Sequence, residues 1–155
     1  MGSILHQPQD NLGGNIKTIH ILDYKSSPTI NIVAGRVVNN IVLANWNKID
    51  FTQDSVSYSQ EQVLVGADTA FRKSVQGNIP KERLEVSTEL LRFHRKRVVV
   101  VVTDRNGIRR IIGSKANPAV LNFKLTSGPR LSDANRYEVT IAQTDKDQVA
   151  FYDIE

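Results

Sequence analysis

The chain contains no cysteine. That absence excludes a disulfide framework, a zinc ribbon and a thiol nucleophile together, and it fits a reducing compartment. Long apolar runs are also missing. The longest, Val98 to Val102, is far short of the roughly 18 apolar residues that a membrane-spanning helix needs. The first residues, Met1-Gly2-Ser3-Ile4-Leu5-His6-Gln7-Pro8, have neither the basic start nor the apolar centre of a signal peptide. No Ser or Thr stands where a myristoylation motif after Gly2 would need one. The chain is therefore expected to be soluble, cytoplasmic and without a membrane span. It has no internal repeat and no low-complexity stretch.

What is present fits one domain. A chain of 155 residues can bury about 70 % of the surface its unfolded form exposes. With 40 % hydrophobic and 23 % charged residues, the composition is that of a folded domain. The net charge of +4 permits contact with nucleic acid without demanding it.

Residues 1–14 are polar and end in Gly13-Gly14, a pattern expected of a flexible arm; residues 15–155 form the domain. Ile16, Ile19, Ile21 and Leu22 predict a first strand, which Lys25-Ser26-Ser27-Pro28 ends. A β-like stretch from Ile30 to Ala44 is interrupted at Gly35 and at Asn39-Asn40, as in a hairpin. Alternation from Asp54 to Val65 places Val56, Tyr58 and Leu64 on one face. After Gly66-Ala67-Asp68, a partner strand carries Phe71, Lys73, Val75, Gly77 and Ile79 on one face.

One helix is predicted over 80–96, with Pro80 at its first position. Glu82, Glu85 and Glu89 near its start and Arg92, Arg95 and Lys96 near its end complement the helix dipole. Val86, Leu90 and Phe93 form an apolar stripe that Leu84 and Leu91 widen. The run from Arg97 to Thr103 is too apolar for a half-exposed strand and predicts a central one covered on both faces. Asn106-Gly107 predicts a type I′ hairpin turn. Strands follow over Ile108 to Ile112, Val120 to Thr126, Tyr137 to Ala142 and Val149 to Ile154. The class is α+β: a mainly antiparallel sheet, sandwich or barrel with one flanking helix.

Signals of catalysis are sparse. His6, His20 and His94 are far apart and share no metal-ligand spacing. Asp104-Arg105-Asn106-Gly107 looks like the start of a calcium loop but lacks the later acidic ligands, so a hairpin turn is the better reading. Gly13-Gly14 and Gly113-Ser114-Lys115 lack the spacing of a phosphate-binding loop. No nucleophile elbow is present. Asp145 and Asp147 flank Lys146 in what reads as a solvated turn, and no carboxylate pair stands out for acid–base work. No catalytic residue, metal, cofactor or small-molecule substrate is expected.

The basic residues concentrate in Arg92, Arg95, Lys96 and Arg97, with Arg105, Arg109 and Arg110 on the following hairpin. If the helix end and the hairpin lie together, they make a positive surface for phosphates or for a partner, and a nucleic-acid-binding module is the alternative function. Basic residues at a helix C-terminus equally serve the helix, and Arg109 and Arg110 point to opposite faces. Stacking aromatics are absent there. Trp46, the only tryptophan, reads as a core anchor or as a partner contact.

Three groups of residues occur together in a recognisable order. They are Gly13-Gly14-Asn15-Ile16-Lys17-Thr18-Ile19; then Tyr58-Ser59-Gln60-Glu61-Gln62; then the valine strand with Thr103-Asp104-Arg105-Asn106-Gly107, Ile112-Gly113-Ser114, Ser127-Gly128 and Ser132-Asp133-Ala134-Asn135-Arg136-Tyr137. The closing Val149-Ala150-Phe151-Tyr152 completes the pattern. In this the chain resembles virion structural proteins of the tail or head–tail connector from tailed bacteriophages and prophages of Bacteroidetes. The resemblance implies a non-enzymatic protein, made in the bacterial cytoplasm and built into the virion. It implies a ring of identical subunits in contact with neighbouring virion proteins through arms and hairpins, with DNA contact optional. Leu5, Trp46 and Arg130 are the candidate assembly contacts.

Overall fold

The computed structural model describes residues 16–52, 55–93, 97–130 and 135–152. The strands among them are β1 (Ile16–Asp23), β2 (Ile32–Val33), β3 (Arg36–Val37), β4 (Asn47–Ile49), β5 (Ser57–Val65) and β6 (Asp68–Pro80). After the helix α1 (Leu84–Phe93) come β7 (Arg97–Asp104), β8 (Arg109–Ile112), β9 (Ala119–Ser127), β10 (Asn135–Asp145) and β11 (Ala150–Phe151). They make one open sheet in the order β2-β3-β11-β8-β7-β9-β10-β6-β5. β1 lies along the other edge of β7 and carries β4. Pairing is antiparallel except between β3 and β11. The protein is thus of the expected α+β class, β-rich with one flanking helix among the described residues.

The valine run is the centre. Val98, Val100 and Val102 join a cluster with Ile19, Ile21, Ile112, Leu121, Tyr137 and Ile141, which Leu90 and Phe93 of α1 cover. Val99 and Val101 point the other way, into a second cluster with Val37, Ile41, Trp46, Ile111 and Tyr152. All five valines are fully buried, and each such burial contributes roughly 1.5–3 kcal/mol. The Tyr152 hydroxyl accepts from Ile41 N at 2.9 Å, tying the loop before Trp46 to the second cluster.

Two strands share one edge of β7. Val100 pairs with Ile112 of β8, whereas Val98 pairs with Ala119 of β9, so residues 113–118 leave the sheet between them. Gly113 makes this corner with φ +89°, and a Cβ there would sit 2.8 Å from Val98 O and 2.9 Å from Ala119 N. Only glycine fits. Gln143 of β10 holds the corner: its Oε1 accepts from Gly113 N at 3.1 Å, and its Nε2 donates to Asn117 O at 2.6 Å.

Several elements differ from expectation. Pro80 is the last residue of β6, paired with Arg136. Lys81 then takes φ +61° and donates its N–H to Asn135 O, so the chain must turn before Leu84 can start the helix. Positions 94–96 lie outside the described residues. Leu84 is 83 % exposed and Leu91 is also exposed; at 100° per residue both fall off the Val86–Leu90–Phe93 stripe.

The hairpin after β7 is not type I′. Only Gly107 has positive φ, +81°; Gly107 N donates to Asp104 O and Asp104 N to Ile108 O. That is a three-residue loop ending in a glycine bulge. The Asp104 carboxylate selects it by accepting from Asn106 N and Ile108 N, both at 2.9 Å. The doubly positive turn lies instead at Ala34 (φ +50°) and Gly35 (φ +76°), between β2 and β3. The rest of the predicted Ile30–Ala44 stretch is loop, with a 3-10 turn at Leu43–Asn45. The last strand is assigned only to Ala150–Phe151, and positions 153–154 of the predicted Val149–Ile154 strand lie outside the described residues.

Candidate functional site

Among the described basic residues, Arg97 and Arg105 stand at opposite ends of β7, about 25 Å of strand apart at ~3.3 Å per residue. Arg92 is exposed on α1, 3.7 Å from Glu89, with its guanidinium over the Phe93 ring. Arg95 and Lys96 lie outside the described residues, as do Leu5, His6 and His94. Arg130 is exposed just beyond β9. Trp46 is buried but for 7 % of its surface and packs in the second core cluster. Among the described residues, no group of three potential ligands forms a metal site.

The two arginines of β8 do face opposite ways. Arg110 pairs with the buried Asp104 and lies over the rings of Tyr58, at 5.3 Å, and Phe151, at 5.9 Å. This stack draws β5 towards β8 and β11 although no ladder joins them. Gln60 adds a second tie, its Oε1 accepting from Val149 N at 2.9 Å. Burial pushes the Tyr58 phenol up to about 12, with Arg110 acting in the opposite direction. On the other face, His20 Nδ1 and Arg109 Nη1 are both buried without hydrogen-bond partners among the described residues. Burial, then Lys48 and then Arg109, hold the His20 pKa below its usual value, against Asp50.

The feature with the clearest capacity for contact is the β5–β6 hairpin. β10 covers β6 only from Phe71 to Pro80, whereas β5 pairs with it from Asp68 to Gln76. The tip therefore overhangs the sheet. Its Gly66-Ala67 turn has positive φ at Gly66 alone, +64°, the pattern of a tight type II′ hairpin. Leu64, expected on one face with Val56 and Tyr58, is 80 % exposed, since β10 does not reach the overhang; Val65 beside it is exposed too. β5 ends the sheet. Ser57 to Val65 contain no proline and no lysine, and the register with β6 has no bulge. Edge strands that stay unpaired usually carry such protection.

Sequence reasoning found the hairpin but not the overhang, which depends on where β10 stops. Against protein-family models, curated proteins and solved structures, the chain matches none. Fold and surface define the class alone: a β-rich α+β domain in which β5 ends the sheet and a hairpin projects, among the described residues.

Proposed function

We propose that the chain is a non-enzymatic structural protein of a phage particle, in the tail or head–tail connector, and that it assembles into a ring of identical subunits. The observation that carries the assembly reading is the β5 edge, nine residues long, ending in the exposed Leu64 and Val65. A strand of a neighbouring subunit laid along this edge would satisfy its backbone groups and cover the tip. A head-to-tail contact of this kind builds a ring where its rotation closes, and a ring is the assembly we propose. The place in a virion rests on the sequence resemblance alone.

The test is light scattering of the purified protein over a concentration series, followed by negative-stain microscopy. Rings or stacked rings are expected, and Leu64→Lys together with Val65→Lys should reduce them to monomers of unchanged circular dichroism. A wild-type protein that stays monomeric, alone and with particle components, while shifting DNA in a salt-sensitive way would favour the nucleic-acid alternative.

A further inference from the structure

Lys73 is only 4 % exposed, on the inward face of β6 between Phe71 and Val75. Among the described residues no hydrogen bond or ion pair reaches its ammonium. Its cross-strand neighbour Gln143 cannot help, since that amide is already engaged with Gly113 and Asn117. Asp145 lies two residues further along β10 on the same face, a diagonal distance of about 7–8 Å. Burial of the amine disfavours its charged form. The balance here runs that way: burial lowers the Lys73 pKa, against the pull of Asp145 and Asp147.

The amine also has access to solvent through a cleft. A space of about 790 Å³ opens between the β2–β3 hairpin, the end of β8 and the β10–β11 connection, and Lys73 lines it. Ile32, Ile111 and Phe151 line it with apolar surface, Asp145 and Asp147 with carboxylates, and Arg36 contributes a further charge. That volume falls within the range of small-molecule sites.

We propose that this cleft captures a carbonyl compound, the Lys73 amine condensing with a small aldehyde that bears an apolar substituent. A neutral lysine amine is a competent nucleophile for a carbonyl carbon. The nitrogen attacks, forming the N–C bond as the C=O π bond opens, and a proton passes from nitrogen to oxygen. The second proton of the nitrogen then reaches the hydroxyl as the C–O bond breaks, so that water leaves and an imine remains. The overall change is amine plus aldehyde to imine plus water, and no redox partner is required. The reaction is stoichiometric and does not depend on the assembly reading.

The experiment treats the full chain at neutral pH with limiting hexanal, reduces the imine with borohydride and maps the modified lysines by mass spectrometry. Lys73 should be modified ahead of the exposed lysines, by about tenfold for each unit that its pKa is lowered, and its rate should persist to lower pH than theirs. Lys73→Met, which keeps the apolar stem, should abolish this fast phase. Modification of Lys73 at or below the rate of exposed lysines overturns the proposal, as does a fast phase that survives in Lys73→Met.

Discussion

Arg110 Nη1 lies 3.1 Å from Asp104 Oδ2, and the Asp104 side chain is only 1 % exposed. The same carboxylate caps the hairpin turn through its other oxygen. One buried group thus fixes both the turn and the arginine that draws Tyr58 and Phe151 together.

Asp104→Ala should accordingly destabilise the protein by about 3 kcal/mol or more, because it leaves a largely buried guanidinium unpaired and frees two turn amides. Asp104→Asn, which keeps a turn acceptor but not the charge, should cost less. Urea denaturation of both variants checks the order; equal losses would mean that the ion pair contributes nothing beyond the turn.

The His20 pKa is lowered in the folded chain, so between that value and the unfolded value of about 6.5 the unfolded state binds more protons. Its contribution to stability is complete above pH 6.5 and is lost as the pH falls through the folded pKa. His20→Gln should therefore flatten the pH dependence of stability in that window. Denaturation midpoints at several pH values for both proteins test this, and parallel profiles would refute it.

Ala34 adopts φ +50° beside Gly35, a conformation that costs an L-residue with a Cβ roughly 1–2 kcal/mol. Ala34→Asn, which suits a type I′ turn, should stabilise the protein by about 0.5–1 kcal/mol. A rise in melting temperature is the readout.

The Tyr137 hydroxyl is buried without a hydrogen-bond partner among the described residues, while its ring packs edge-on against Phe123 with centroids 6.1 Å apart. Tyr137→Phe keeps the ring contact and removes an unsatisfied group, so stability should be unchanged or higher. A loss above about 1 kcal/mol would show that the hydroxyl is bonded in solution.

At Gly77, an added Cβ would lie 2.6 Å from Phe51 Cδ1. Gly77→Ala must displace that ring from β6 and should cost about 1–3 kcal/mol, seen as a lower denaturation midpoint with an unchanged slope.

Elements that differ from water in bulk pattern were legible in the sequence. The valine run announced a strand buried on both faces, and the period of Phe71, Lys73, Val75, Gly77 and Ile79 gave the inward side of β6 correctly. What escaped depended on neighbours distant in sequence. Pro80 suits the end of a strand as well as the start of a helix, and only its pairing with Arg136 decides between them. Asn106-Gly107 suits a type I′ turn until the Asp104 carboxylate selects another. The basic residues looked clustered because sequence separation does not convey that β7 runs straight between Arg97 and Arg105. Lys73 was placed on the right face, but its burial and the cleft beside it depend on β10, β11 and the β2–β3 hairpin closing around it.

The edge that β7 shares between β8 and β9 is matched by a more distant partner on its other side. Ile19 pairs with Val102, so the first described strand is completed by one synthesised 83 residues later (102 − 19). Such long loop closures slow folding. On the ribosome, β1 emerges well before the valines that bury it, and its apolar face must wait through the synthesis of β5, β6 and α1. The protein's exposure to misassembly is therefore greatest during translation, before the centre of the sheet exists.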